Sequence, residues 1–174
     1  MKLNLGCGLN HLVNYVNVDI ETMAIPDRMF DIQREWPVLS CSVEHIVANH
    51  IVEHLQDIKT FFQEAYRVLG HDCEMEIHVP HHCSENFWGD PTHVRPITET
   101  MMHLLSAEFC AMCKEKGYSN TPLATYWQVD FELVGIKYVP TDRWKGQPED
   151  MIRAAMASQI NVLSEVHFKL RAKK

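Results

Sequence analysis

Residues 3–20, LNLGCGLNHLVNYVNVDI, constrain the fold more than any other stretch of the chain. Two short apolar runs flank Gly6-Cys7-Gly8, and only residues 9–14 remain to connect them. Wound as a helix, six residues advance about 9 Å, whereas a strand of five or six residues is roughly 17–20 Å long. A helical crossover back to the start of a parallel neighbour therefore cannot close. Extended chain, at about 3.3 Å per residue, just can. The stretch is thus either a parallel unit whose first helix has shrunk to an extended loop or a single turn, or a β-hairpin turning near Gly8-Leu9-Asn10. A Gly-x-Gly-x-x-Gly dinucleotide fingerprint fits poorly, because His11 stands where the third glycine belongs.

Further along, residues 45–48 (HIVA) read as another short apolar strand, of the kind buried in parallel sheets. In residues 53–69, Leu55, Ile58, Phe61, Phe62, Ala65, Tyr66 and Leu69 recur at spacings of three and four, which predicts an amphipathic helix ended by Gly70. Residues 74–79 read as a strand stopped at Pro80, and residues 99–116 as one helix with Gly117 at its C-terminal end. Two strands with period-two alternation follow, at 129–139 and 162–171, the latter patterned as an edge strand with one wet face. Between them Pro148, Glu149 and Asp150 start a helix that residues 151–160 can carry. The order predicts an α/β doubly wound, mostly parallel Rossmann-like sheet with an antiparallel edge strand and shortened or missing first helices.

At 174 residues the chain suits one domain, spanning 1–174, with no linker-like or repeated segment. Sixteen basic against twenty-three acidic residues give a net charge of −7, which disfavours bulk nucleic-acid binding. No apolar run has the length of a membrane span, and the start lacks a signal-peptide pattern. Six scattered cysteines suggest reduced thiols and a cytoplasmic protein. Cys110-x-x-Cys113 lies inside a helical pattern without a second pair at finger-like spacing, so structural zinc is not expected.

LNLGCG, VNVDI, FDIQREWP, IVEHL and YRVLG, in that order and spacing, resemble the class I S-adenosylmethionine-dependent methyltransferases, in particular small members with a shortened front half. The likeness covers residues 3–100. It implies S-adenosyl-L-methionine as cofactor, with Gly6, Cys7 and Gly8 bringing backbone N–H groups to its amino-acid half and Asp19 accepting both ribose hydroxyls. Asp31 would accept from the adenine amine with Ile32 against the ring, and Asn49 and His50 would stand where cofactor and acceptor meet. Read without the resemblance, Asp19 and Asp31 are turn acids and Asn49 a helix cap. The chain departs from the family in replacing the glycine pair after RVL with Gly70-His71-Asp72, a surface turn, and in leaving almost no room for the early helices. The sheet face they normally cover must then be hidden by the 148–160 segment, by a partner subunit, or by both. A homodimer is expected on that ground.

The loop at 80–98, PHHCSENFWGDPTHVRPIT, follows a strand at the ligand-binding end of such a sheet. Its GDPTHVRPIT run resembles a loop of the same small methyltransferases. Methyl transfer requires alignment and, for an oxygen or nitrogen nucleophile, a base. His81 or His93 is the expected base, oriented by Asp90, with Phe87 and Trp88 as acceptor walls and His54 and Arg95 as further acceptor contacts. A facial metal set of His81, Asp90 and His93 is a weaker alternative, and no metal is assigned. The expected activity is methyl transfer to a small-molecule, sugar or lipid-linked acceptor. A cofactor-binding subunit without turnover and a histidine-dependent metallohydrolase are the competing functions.

Overall fold

Period-two alternation marks the central strands of the sheet. In the computed structural model, covering residues 1–174, the chain runs β1 (Lys2–Leu5), β2 (Val16–Asp19), β3 (Arg28–Met29), β4 (Val43–Asn49), α1 (Ile58–Val68), β5 (Leu69–Pro80), α2 (Glu85–Trp88), α3 (Glu99–Leu104), α4 (Ala107–Glu115), α5 (Leu123–Trp127), β6 (Phe131–Pro140), α6 (Glu149–Met156) and β7 (Leu163–Ala172). The seven strands form one sheet in the order β3-β2-β1-β4-β5-β7-β6. The first five are mutually parallel, and β7 runs antiparallel to both of its neighbours. The architecture is that of an α/β Rossmann-like sheet with an antiparallel edge. Wet-face alternation in β7 holds, but β7 lies between β5 and β6, and β6 takes the edge.

β1 and β2 pair in parallel, which excludes the hairpin. No helix forms between them. The short crossover is instead pinned by two buried asparagines: Asn4 Nδ2 donates to Asn10 O at 2.8 Å and to Asn17 Oδ1 at 2.9 Å, and Leu12 N donates to Asn17 Oδ1 at 2.8 Å.

On one sheet face Leu3, Leu5, Val18, Ile46, Ala48, Met75, Ile77 and Phe168 are buried, and α1 packs Phe61, Phe62, Ala65 and Val68 into the same core. α1 begins where Asp57 accepts from Thr60 N at 3.0 Å. It ends at Val68 rather than at Gly70, which lies inside β5; the backbone turns from helix to strand at Leu69. The His71-Asp72 turn is a bulge, where pairing jumps from Val43↔Leu69 to His45↔Glu74 and Asp72 takes φ +58°. The single helix expected over 99–116 is two, because Ser106 caps a new start by accepting from Phe109 N at 3.2 Å.

The opposite face overturns the expectation of an apolar surface in need of cover. Its residues are Lys2, Asn4, His45, Glu74, Glu76, His78, His167, Lys169 and Arg171, all interleaved with the buried set along the same strands. Directly opposed residues on β5 and β7 pair by charge: Glu74 with Arg171 at 2.9 Å and Glu76 with Lys169 at 3.0 Å. Such exposed pairs are each worth about 0.2–1 kcal/mol. They solvate the face more than they stabilise it. Helix α6 does not cover this face: Met156 shares a cavity with Tyr138, Val166 and Phe168, which belong to the core side.

Candidate functional site

The glycine loop is built around two left-handed residues. Gly6 (φ +62°) abuts Ile51 so closely that a β-carbon would stand 2.5 Å from its Cγ1, which only glycine avoids. Gly8 (φ +47°) has nothing within 4 Å of the same position, so its backbone is open to a ligand. The Gly8 N–H donates to Asp19 Oδ2 at 2.8 Å, and Asp19 Oδ1 accepts from Ile20 N at 2.8 Å and Glu21 N at 2.9 Å. A carboxylate offers about four acceptor sites. Backbone donors already hold three of those on Asp19. Cys7 is buried between the glycines, and burial pushes its thiol pKa up.

A groove of about 1140 Å³ runs from Gly6, Cys7 and Gly8 past Asn49 and His50 and onto the polar face at Asn4, His45 and His78. It is roomy beside the roughly 300–1,000 Å³ of ordinary ligand pockets. Asp19 touches its rim through Gly8, and neither Asp31 nor Ile32 lines it. Asp31 closes a turn, accepting from Gln33 N at 2.9 Å and pairing with Arg34 at 3.3 Å. Ile32 belongs to the core and is 7 % exposed, which leaves only an edge for a ring.

At the end of β4, His50 is held at φ +51°, a conformation that costs a non-glycine residue about 1 kcal/mol or more and clusters at functional sites. Its Nδ1 lies 3.4 Å from Glu53 Oε1 and its Nε2 3.3 Å from Glu165 Oε1. The Glu53 carboxylate is the largest influence raising the His50 pKa, burial opposing it and Glu165 adding to it. Glu53 itself is wholly buried, and neither of its oxygens has a hydrogen-bond partner.

The 80–98 loop folds onto this point. Val94 N donates to Glu53 O at 2.8 Å, and Arg95 donates to Leu55 O at 2.8 Å and Gln56 O at 3.1 Å. Arg95 is thereby a staple between loop and scaffold, not the acceptor contact expected from sequence. His93 stacks on buried Phe87, and its Nδ1 donates to Phe87 O at 2.6 Å. Its Nε2 is left facing Glu53 Oε1 at 4.0 Å and Asp90 Oδ2 at 3.9 Å. Thr92 Oγ1 donates to Asp90 Oδ1 at 2.6 Å and so receives the Nδ1–H of His54 at 2.9 Å. The rings of His54 and His93 meet edge to face at 4.6 Å.

His81 does not join them. It is buried beside His82 and Tyr138 on the core side of the sheet end, where burial, with His82 adding, lowers its pKa to about 4. Phe87 is a prop for His93 rather than an exposed wall, while Trp88 is 72 % exposed, its Nε1 donating to His82 O. Sequence reasoning passed over Glu53, whose signal was an acid set among apolar residues in IVEHL. It also passed over the histidines and glutamates of the open sheet face, signalled by the polar alternate positions of EMEIHV.

No family model matches the chain and no curated protein does. Solved structures do. The YcgJ protein from Bacillus subtilis superposes with TM-score 0.61 at 15% identity, over 99% of this chain and 92% of its own. A SAM-dependent methyltransferase from Archaeoglobus fulgidus gives 0.62 at 16%, over 98% and 85%. An S-adenosylmethionine-dependent methyltransferase from Mesorhizobium loti gives 0.55 at 13%, over 98% and 89%. The fold is that of the class I S-adenosylmethionine-dependent methyltransferases.

Proposed function

We propose that residues 1–174 form one cytoplasmic methyltransferase domain moving a methyl group from S-adenosyl-L-methionine to a small-molecule, sugar or lipid-linked acceptor. The observation that carries this reading is the Gly8–Asp19 bond, which holds an unobstructed left-handed glycine against a carboxylate at the tip of β2. That pair suits an adenosyl ligand: the open side of Gly8 admits close approach, and Asp19 keeps an acceptor site for a ribose hydroxyl. When bound, the cofactor supplies a methyl group on an already electrophilic sulfonium.

The chain's own part is alignment and proton management. Asn49 and His50 line the groove beside the glycine loop. With Nδ1–H engaged by oxygen acceptors, His54 and His93 each turn their Nε2 lone pair outward, where it can accept a proton from an acceptor molecule. Asp90, acting through Thr92, fixes the His54 tautomer, and exposed Trp88 offers a wall to the acceptor. The base is assigned to this pair rather than to His81. The ion-paired open face gives the expected homodimer no driving force of its own, and a small-molecule acceptor is the partner carried forward.

Calorimetry with S-adenosylhomocysteine tests the reading. The wild type should bind with 1:1 stoichiometry. Gly8→Ala should weaken that binding while still folding, because its β-carbon would stand in the ligand's space with no protein atom within 4 Å, the left-handed backbone costing about 1–2 kcal/mol of stability. Equal affinity in the two proteins, or none in the wild type, sinks the assignment. Turnover against an acceptor panel then separates an enzyme from a cofactor-binding subunit.

A further inference from the structure

Glu53 carries the structure's only buried side-chain oxygens without a hydrogen-bond partner. A carboxylate taken from water in this way is protonated or compensated by a cation, since burying it bare costs many kcal/mol. No lysine or arginine pairs with it. Three imidazoles surround it: His50 presents Nδ1 at 3.4 Å, His93 presents Nε2 at 4.0 Å, and a ring nitrogen of His54 joins Glu53 and His93 with those three ligand atoms within 4.8 Å of one another.

Both imidazoles are prepared as ligands. His93 gives its Nδ1–H to the Phe87 carbonyl, and His54 gives its own to Thr92 Oγ1, whose hydroxyl is in turn held by Asp90. Metal-binding histidines are characteristically fixed in this manner, the second nitrogen tied to a carbonyl or to a carboxylate-linked group. The loop bearing His93 is locked in place by Val94 N to Glu53 O and by Arg95 to Leu55 O and Gln56 O.

We propose that Glu53, His54 and His93 form a binding site for a divalent transition metal of the zinc type, with a further coordination position open toward Asp90. Two nitrogens and one oxygen suit zinc, cobalt or manganese better than magnesium or calcium, which prefer oxygen shells. Ligand atoms around tetrahedral zinc stand roughly 3.3 Å apart. Glu53 Oε1 and His93 Nε2 stand 4.0 Å apart in the metal-free protein. Three protein ligands with one free position is the composition of sites that bind a substrate oxygen or water. Asp90, with Oδ2 3.9 Å from His93 Nε2 and its side chain 46 % exposed, marks the open side. The competing compensation is a proton on His50, whose Nδ1 is 3.4 Å from Glu53 Oε1, close enough for an ion pair though not one of the structure's hydrogen bonds. The inference does not depend on methyl transfer, and a metal seated here would take the lone pairs that the metal-free protein offers as base, so the two roles exclude each other in one molecule.

The test uses the full chain, stripped with chelator, dialysed and titrated with Zn²⁺ by calorimetry and with Co²⁺ by visible absorption at pH 7.5. Expected are one equivalent bound, a Co²⁺ spectrum of low-coordinate nitrogen–oxygen ligation, and at least a hundred-fold loss of affinity in both Glu53→Gln and His93→Ala. His82→Ala, which removes a ligand from the other potential cluster at His81-His82-Cys83, should bind as wild type. In chelator Glu53→Gln should melt higher than wild type, because an uncompensated charge is gone, and metal should no longer raise its melting temperature. Absence of binding in the wild type, binding indifferent to Glu53→Gln and His93→Ala, or binding lost in His82→Ala overturns the site. So does a Glu53→Gln protein that melts lower in chelator, the mark of a lost Glu53–His50 ion pair. S-adenosylhomocysteine binding on the same samples keeps failure here distinct from failure of the methyltransferase reading.

Discussion

His78 and His167 stack with ring centroids 3.8 Å apart and planes 21° from parallel, directly opposed on β5 and β7. They sit on a sheet face that no helix covers, between Glu76, 3.7 Å from His78 Nε2, and Glu165, 3.0 Å from His167 Nε2. Two imidazoles at this distance tolerate one proton far better than two. Burial, and next the charge of His167, lower the His78 pKa, with the neighbouring carboxylates opposing.

This geometry predicts acid sensitivity. His78 and His45 both have lowered folded pKa values, and His81 is lowered to about 4. Below the unfolded value of about 6.5 the unfolded chain takes protons that the folded chain refuses, so stability falls as pH drops from 7 toward 4. His50 has the opposite sign: its raised pKa adds stability that is full below 6.5 and fades as pH rises through the folded value. Three groups against one leave a net loss in acid. The melting temperature should drop by about 5 °C or more between pH 7.5 and 5.0, with a shallower slope in His81→Phe. A flat profile contradicts the assignment of neutral, desolvated histidines.

The polar face also sets the oligomeric state. A surface carrying Glu74–Arg171 and Glu76–Lys169 pairs is a weak driver of self-association, the large exposed apolar side chains such as Leu9, Val13 and Met23 lying beyond it. Sedimentation at micromolar concentration should return a monomer at both 50 mM and 500 mM salt. A stable dimer would mean that the polar face, or another, is used in a way its chemistry does not require.

Asp19 is a structural residue as well as a candidate ligand contact. Asp19→Ala removes the acceptor for three backbone N–H groups, so a loss of about 1–3 kcal/mol in stability should accompany lost S-adenosylhomocysteine binding. Asp19→Asn keeps one oxygen for those donors and should recover much of the stability but not the affinity. Melting and calorimetry on both variants separate the two roles.

What the sequence disclosed, and what it hid, follows from the range of the interactions. α1 was legible because Phe61, Phe62, Ala65 and Val68 write a helical period into eleven contiguous residues. The lack of a helix between β1 and β2 was legible from chain length alone, whereas their parallel pairing was not, since residues 9–14 would equally serve a hairpin and only the family likeness favoured the parallel unit. The polar face was missed, although His45 on β4 and Glu74, Glu76 and His78 on β5 write it in alternate positions, because the family likeness brings covering helices with it. The meeting of Glu53 with His93 was invisible, since forty residues separate them and the contact depends on Arg95 stapling the loop to Leu55 and Gln56. The break at Ser106 was readable in principle as a serine preceding Ala107 and Glu108, yet apolar spacing runs through it unbroken.

The loop at 80–98 gives the sharpest separation of fold from function. Asp90 closes its turn through Thr92 N and Thr92 Oγ1, at 2.8 and 2.6 Å. Asparagine can accept both bonds, so Asp90→Asn should keep the turn and the melting temperature while removing the charge beside His93. His93→Ala removes the stacked ring and its bond to Phe87 O, and should lower stability by about 1–3 kcal/mol. Both variants should hold S-adenosylhomocysteine within a few-fold of wild type, because the glycine loop and Asp19 lie on other elements. Turnover should fall by about 10²-fold or more in His93→Ala, the scale of a lost base or a misplaced acceptor. Asp90→Asn should lose less, since the His93–Asp90 approach at 3.9 Å is electrostatic rather than a hydrogen bond. Arg95→Ala supplies the structural control: with the staple to Leu55 and Gln56 cut, stability and turnover should decline together. If His93→Ala instead loses activity only in proportion to its stability, the loop is scaffold, and the proton acceptor must be sought at His50 or His54.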